Sequence, residues 1–286
     1  MATNYVGAHI SREKTIIKTM ENIKNAGGNS LQIFVSNPRS TSLVNIENYL
    51  TISSDIKKYL NENNFKLIIH SPYVINIASE LKINKRTLPI EECYWIKLIL
   101  HELIIADLIG SEGVVLHVGK FVKQSYKDGL DNMKKSIEFI LDNMIFKKLN
   151  TKLIIETPAG QGTELLTDLN DFVDFHNSFS KEQQRYMGMC FDTAHTWALG
   201  YELDEAFKIL FSKTNAKNVI LIHLNNSLVS KGARKDRHAV MLNGTIPNSK
   251  MNNFISSLKK YKPIIILETP SQSYNEEFSH IYKLLS

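Results

Sequence analysis

The stretch GVVLHVGKFVKQSYKDGLDNMKKSIEFILDNMIFKKLNTKLIIE, residues 113–156, decides the fold. It opens on GVVLH (113–117) and closes on KLIIE (152–156), two short runs that are apolar on both faces, as strands buried in a parallel sheet are. Between them, Met133 to Phe146 carries apolar residues at helical spacing. A strand, a helix and a second strand in this order predict a right-handed crossover.

Outward from this unit the rhythm repeats. YVGAHI (5–10), LQIFV (31–35) and KLIIH (66–70) precede it, and MGMCFD (187–192), VILIH (219–223) and PIIILE (263–268) follow, so the chain holds eight such runs. Helical segments intervene. Ile16, Ile17, Met20 and Ile23 lead to the glycine stop at Gly27 and Gly28, Glu92 to Leu108 runs up to Gly110, and Leu203 to Leu210 repeats the spacing. Eight units favour closure into a (β/α)₈ TIM barrel, and 286 residues lie close to the roughly 250 typical of one. An open doubly wound sheet is the alternative; it prefers a G-x-G-x-x-G turn after its first strand, and GAHIS (7–11) offers none. No Gly/Ser-rich or Pro-rich linker divides the chain, so one catalytic domain over 1–286 is expected.

Composition narrows the class further. A hydrophobic fraction of 43% with 22% charged residues is that of an ordinary globule and excludes disordered and fibrous chains. No apolar stretch is long enough to span a bilayer, and Met1 to Gly7 lacks the basic-then-apolar layout of a signal peptide, so an intracellular, non-secreted protein without membrane contact is expected. Cys93 and Cys190 are too far apart to read as a zinc-ligand pair, and two thiols suit a reducing compartment. The net charge of +5 would help the protein meet phosphates but decides nothing alone.

Chemistry concentrates at the ends of the runs. Six of the eight end in a residue able to bind metal: His70, His117, Glu156, Asp192, His223 and Glu268. In a parallel barrel the C-terminal ends of all strands converge on one rim. Carboxylates and imidazoles crowded at that low-dielectric mouth need a cation to neutralise them. Any one of these residues is better explained as a polar group closing a strand; six together favour metal. After the sixth run, FDTAH places His195 three residues beyond Asp192, and in the next loop KDRH (235–238) sets Asp236 and His238 on one side of an extended segment with Arg237 directed away. A solvated charged loop is the plainer account of KDRH, and its place beside the rim argues for a ligand role. Five histidines and four carboxylates exceed what one ion can use, and mixed imidazole and carboxylate donors suit zinc or manganese. His101 reads as a helix packing residue and His176 and His280 as members of polar helical stretches, while His9 could line the pocket without being a ligand.

In order, and along nearly the whole chain, these segments resemble the endonuclease IV family of abasic-site nucleases. The resemblance rests on YVGAHIS (5–11), HSPYVIN (70–76), the run ending in His117, IIETPAGQG (154–162), CFDTAHTWALGY (190–201), IHLNNS (222–227), KDRH and ILETP (266–270). It implies three zinc ions, with manganese an alternative at one. His70, His117 and Glu156 would hold the first, Glu156, Asp192, His223 and Glu268 the second, and His195, Asp236 and His238 the third. Glu156, Asp192 and Glu268 would form the catalytic set. The implied chemistry is in-line attack of an ion-acidified water on the phosphorus 5′ to an abasic site in duplex DNA. Products would be a 3′-hydroxyl and a 5′-deoxyribose phosphate, with trimming of blocked 3′ ends as a further expectation of the family.

By the same resemblance Arg39, Tyr73 and Val74 would enter the duplex at the lesion, where the abasic nucleotide is extruded. Lys120, Lys231, Arg234, Lys235 and Arg237 are candidate phosphate contacts from a protein acting as a monomer. Two positions depart from the family pattern: Asn226 stands where aspartate is usual, removing a charge beside His223, and Thr41 stands where tryptophan is usual. Two rivals are weighed against this assignment. A sugar isomerase or epimerase on the same barrel would need only Glu156, Asp192, His223 and Glu268, and a silent DNA-lesion binder would need no complete ligand set.

Overall fold

The computed structural model describes residues 4–83, 86–270 and 274–286; Met1 to Thr3, part of the stretch read against a signal peptide, lie outside the described residues. Eight parallel strands close into a barrel: β1 (Tyr5–His9), β2 (Ser30–Ile33), β3 (Lys66–His70), β4 (Gly113–His117), β5 (Lys152–Glu156), β6 (Met187–Asp192), β7 (Val219–His223) and β8 (Ile264–Leu267). Each pairs with its neighbours in chain order, and β1 pairs with β8 to complete the ring. The closed barrel replaces the open-sheet alternative, and every apolar run seen in the sequence supplies one of its strands.

The outer helices are α1 (Ile16–Asn25), α2 (Ser53–Glu62), α3 (Tyr94–Ile109), α4 (Tyr126–Lys147), α5 (Leu169–Asn177), α6 (Leu203–Ser212), α7 (Asn248–Ser257) and α8 (Tyr274–Leu285). Two of them differ from the sequence expectation at their starts. α4 begins at Tyr126 rather than Met133, because Ser125 caps it by accepting from the Asp128 amide while its early turns face solvent with few apolar residues. α3 begins at Tyr94 rather than Glu92, since Ile90–Glu92 form a 3₁₀ turn, and it ends on Gly110 at φ 77°, a left-handed cap that suits glycine. Among the described residues no helix is long and apolar enough to cross a membrane.

Core packing has two parts. A large apolar layer lies between strands and helices, and a smaller one fills the barrel interior with Ile68, Val115, Ile154, Cys190, Leu221 and Ile266. Both cysteines are buried free thiols. One wall is irregular: Met189 pairs with Val219, but Cys190 pairs with Leu221 and Asp192 with His223, so β7 carries Ile220 as an extra residue. Gly188 makes room for it, since a Cβ there would meet Ile220 Cδ1 at 2.5 Å.

Candidate metal centre

Side chains two apart on a strand share a face. Ile68, Val115, Ile154, Cys190, Leu221 and Ile266 face the interior, so His70, His117, Glu156, Asp192, His223 and Glu268 form the layer above them. The bulge in β7 is what admits His223 to this layer. A regular register continued from Met189 and Val219, with Ile220 paired to Cys190, would set Ile222 opposite Asp192 and turn the imidazole out of the barrel.

Glu156 sits at the centre. Its Oε2 is 3.1 Å from His117 Nε2 and 3.8 Å from His70 Nε2, and its Oε1 is 2.9 Å from His223 Nδ1 and 3.5 Å from His195 Nδ1. Glu268 Oε2 and Asp192 Oδ2 approach His223 Nδ1 to 3.1 and 3.9 Å. On the outer side, Asp236 Oδ1 lies 3.3 Å from His195 Nε2 and 3.1 Å from His238 Nε2, and His238 Nε2 is 3.6 Å from Asp192 Oδ2. The nine residues singled out in the sequence therefore meet at one mouth. The donor atoms of His70, His117 and Glu156 form one compact group, those of Glu156, Asp192, His223 and Glu268 a second, and those of Asp192, His195 and His238 a third.

Three imidazoles are held from behind by groups that only accept. His70 Nδ1 lies 2.8 Å from the Ser71 carbonyl, His195 Nδ1 2.8 Å from the Thr157 carbonyl, and His223 Nε2 2.9 Å from Gln32 Oε1. Each of these nitrogens must carry its ring's proton, so the inward nitrogen of the neutral ring presents a lone pair to a carboxylate. Glu156 Oε2, His195 Nε2 and His238 Nε2 are buried without a hydrogen-bond partner among the described residues. Lone pairs facing lone pairs in a buried pocket call for positive charge between them, and the donor set fits divalent cations.

The titration directions agree for His70 and run the other way for His195 and His223, where burial opposes the imidazolium but the acidic groups around them outweigh it and raise both well above 6.5. Burial, aided by His117, pushes His70 down to about 3, which keeps it neutral. Burial also works against charge on Glu156, yet His223 and His117 hold its carboxyl well below the usual range. Burial opposes the imidazolium of His238, but Asp192 and Asp236 outweigh it and raise the group to about 9. Without a cation, protons on some imidazoles offset the buried carboxylates.

Comparison with known proteins places this geometry. A family profile described as xylose isomerase-like TIM barrel matches residues 20–284. The protein named "Probable endonuclease 4" of Mycoplasmopsis pulmonis is 32% identical over 258 residues, covering 87% of this chain and 86% of that one. The chain belongs to the endonuclease IV family. The protein of the same printed name from Clostridium botulinum is 29% identical over 275 residues, 93% of each chain. Among solved structures, endonuclease IV from Thermus thermophilus superposes with a TM-score of 0.76 at 21% identity over 99% of this chain and 97% of that one. A D-tagatose 3-epimerase-like protein reaches 0.69 at 17% identity over 97% and 96% of the two chains. At those identities both likenesses show the barrel alone.

Around the centre of this endonuclease IV family member, a mouth of about 550 Å³ is lined by His9, Tyr73, Lys120, Gln161 and Arg237 as well as the metal-site residues. Arg237 is not directed away: its Nη1 donates to the carbonyl of Asp236 and its side chain lines the mouth. Tyr73 is 60% exposed at the rim with its ring edge-on to Phe34, and Val74 beside it is half-buried. Arg39 and Lys235 are exposed, as is Thr41. Lys231 is committed to Glu202 at 2.6 Å and Lys120 pairs with Glu164 at 3.4 Å, whereas Arg234 lays its Cβ and Cγ near Gly160 and is exposed. His176, expected on a polar helical stretch, is buried with neither ring nitrogen hydrogen-bonded among the described residues, because α5 turns that face onto the core.

Several residues of the site escaped the sequence. Gln32 accepts from His223 Nε2 and donates to Glu268 Oε1 at 2.6 Å, and Asn225 donates to Asp192 Oδ2 at 2.7 Å while accepting from the Glu268 amide at 2.8 Å. Gln32 was visible only as a polar residue inside an apolar run. Asn226 holds no place among the ligands. Its amide donates to the Met241 and Ile246 carbonyls and its Oδ1 accepts from the Ser227 and Ile246 amides, four backbone groups that an aspartate could not all satisfy.

Proposed function

We propose that the protein is a metal-dependent abasic-site endonuclease, one catalytic domain over 1–286 acting as a monomer on double-stranded DNA. The observation that carries this reading is the set of imidazoles fixed from behind by neutral acceptors and turned inward onto four carboxylates, with Glu156 at their centre. Three zinc ions, with manganese an alternative at one, would be held by His70, His117 and Glu156, by Glu156, Asp192, His223 and Glu268, and by His195, Asp236 and His238. Bound there, such ions supply Lewis-acid stabilisation of a phosphodiester and lower the pKa of the attacking water. A mononuclear epimerase site would use four of these nine residues and leave the rest of the mouth without purpose.

The chain's own groups do the remaining work. Glu156, Asp192 and Glu268 are the catalytic carboxylates: the histidines keep Glu156 and Glu268 ionised, burial raises Asp192, and Asn225 and Gln32 aim Asp192 and Glu268. Tyr73, Val74 and Arg39 stand at the rim where they would enter the duplex and stabilise its unstacked form. Lys235 and Arg237 would meet backbone phosphates. Incision 5′ to the abasic site then leaves a 3′-hydroxyl and a 5′-deoxyribose phosphate, and the same site would clear blocked 3′ ends.

The test is incision of a duplex with one defined abasic site, alongside metal analysis of the purified protein. Cleavage should stop on chelation and return with zinc, more than one ion should be bound per chain, and Glu156→Gln should lower kcat by at least about a hundredfold, the scale of losing a central electrostatic group. Equal activity of Glu156→Gln and the parent would sink this reading.

A further inference from the structure

The loop that follows β2 carries Asn37, Pro38 and Arg39 to the rim, and it is poorly supported from below. A cavity of about 510 Å³ lies beside it, lined by Val35, Val44, Tyr49, Arg12, Ile16 and Ile56. What fixes the loop is a set of polar ties. Ser36 Oγ donates to Glu102 Oε1 at 2.5 Å, His101 Nε2 donates to the Val44 carbonyl at 2.7 Å, and the Tyr49 hydroxyl donates to the Val35 carbonyl. Arg12 in turn donates to the Tyr49 hydroxyl at 2.9 Å.

Glu102 is the anomaly among these. It is 1% exposed on α3, far in sequence from every metal-site residue, and its Oε2 has no hydrogen-bond partner among the described residues. A buried carboxyl half-satisfied in this way costs stability, and an apolar residue would serve the packing of α3 better. Its one side-chain hydrogen bond among the described residues is to Ser36, directly ahead of the segment whose Pro38 carbonyl accepts the Tyr73 amide at 2.9 Å. Both elements expected to enter the duplex thus take their position from one stretch of backbone.

We infer that Glu102 is a positioning residue for lesion recognition: through Ser36 it holds the 36–40 loop, and with it Arg39 and Tyr73, in the attitude that receives an extruded abasic nucleotide. The inference rests on the proposed activity for its substrate, but its readout is binding. The experiment uses the metal-loaded protein, a duplex bearing an abasic analogue whose 5′ linkage is a non-hydrolysable phosphonate, the same duplex undamaged, and bis(4-nitrophenyl) phosphate as a small diester that needs no loop.

Glu102→Leu and Ser36→Ala should each weaken binding of the lesion duplex at least fivefold while changing undamaged-duplex binding and small-diester turnover less than twofold. Glu102→Gln, which keeps the acceptor for Ser36, should bind as the parent does. Where Glu102→Leu fails to fold, Ser36→Ala decides alone. Lesion binding unchanged in Ser36→Ala, equal losses on both duplexes, or a parent protein that does not distinguish the duplexes would each overturn the inference. A parent that binds the lesion but cuts no abasic DNA faults the proposed activity and leaves the positioning role to be judged from the same variants.

Discussion

A single side chain can be worth keeping for what it aims rather than for what it stabilises, and Glu102 lets the two be measured apart. Burial raises its carboxyl from 4.5 to about 7 against the lowering effect of Ser36. The folded state thus prefers the protonated form, and ionisation penalises folding. That penalty is absent below about 4.5, grows as pH rises to about 7 and is constant above, reaching ~3 kcal/mol for the full shift. Glu102→Gln removes the ionisation. Denaturant midpoints should coincide near pH 4.5 and separate in favour of the variant as pH rises to 7, with no further widening at pH 8. A gap of one size at every pH would show that the charge is not the cost. The sequence did not reveal Glu102, since a glutamate at the fourth position of ILHELII reads as one more solvent-facing group on a helix. Gln32 was hidden for the opposite reason: the run LQIFV extends past the end of β2, so its last residue is not the one that crowns the barrel. The convergence of the six metal-capable residues at run ends was legible because their strands end on them or directly before them.

At the scale of elements, the strands could be read one at a time but their registers could not. VILIH shows nothing that marks Ile220 as an extra residue, because a bulge exists only relative to the partner strand. Helix starts such as that of α4 were lost for a related reason: the capping residue was there, while the early turns lacked the apolar spacing that reveals a helix. Gly188 and Ile220 together set the level of Asp192 and His223, so disturbing one should be relieved by trimming the other. Gly188→Val should lower stability by about 2 kcal/mol through overpacking, and adding Ile220→Ala should restore at least half of the loss. Thermal unfolding of the single and double variants measures this; a double variant no better than the single one would separate the glycine from the bulge.

For the whole molecule, the net charge of +5 states little, and the arrangement of cations around the mouth states more. With Lys231 paired to Glu202 and Lys120 to Glu164, Arg39, Arg234, Lys235 and Arg237 remain as the freest phosphate partners, four in all. Four neutralised phosphates predict a slope of about −3.6 when log affinity for duplex DNA is plotted against log salt. A flat plot would remove these residues from the interface. The loops that bear them are laced to one another. The Tyr73 amide donates to the Pro38 carbonyl, Asn76 exchanges two hydrogen bonds with the backbone of Lys120, the Phe121 amide donates to the Thr163 carbonyl, and Gln161 accepts from the Asp236 amide. Such stitching makes the rim a collar rather than a fringe: its segments loosen as a group, and a change of length in one would be felt in the footing of the next. New specificity on this barrel is therefore reached by replacing the collar whole more readily than by lengthening a single loop.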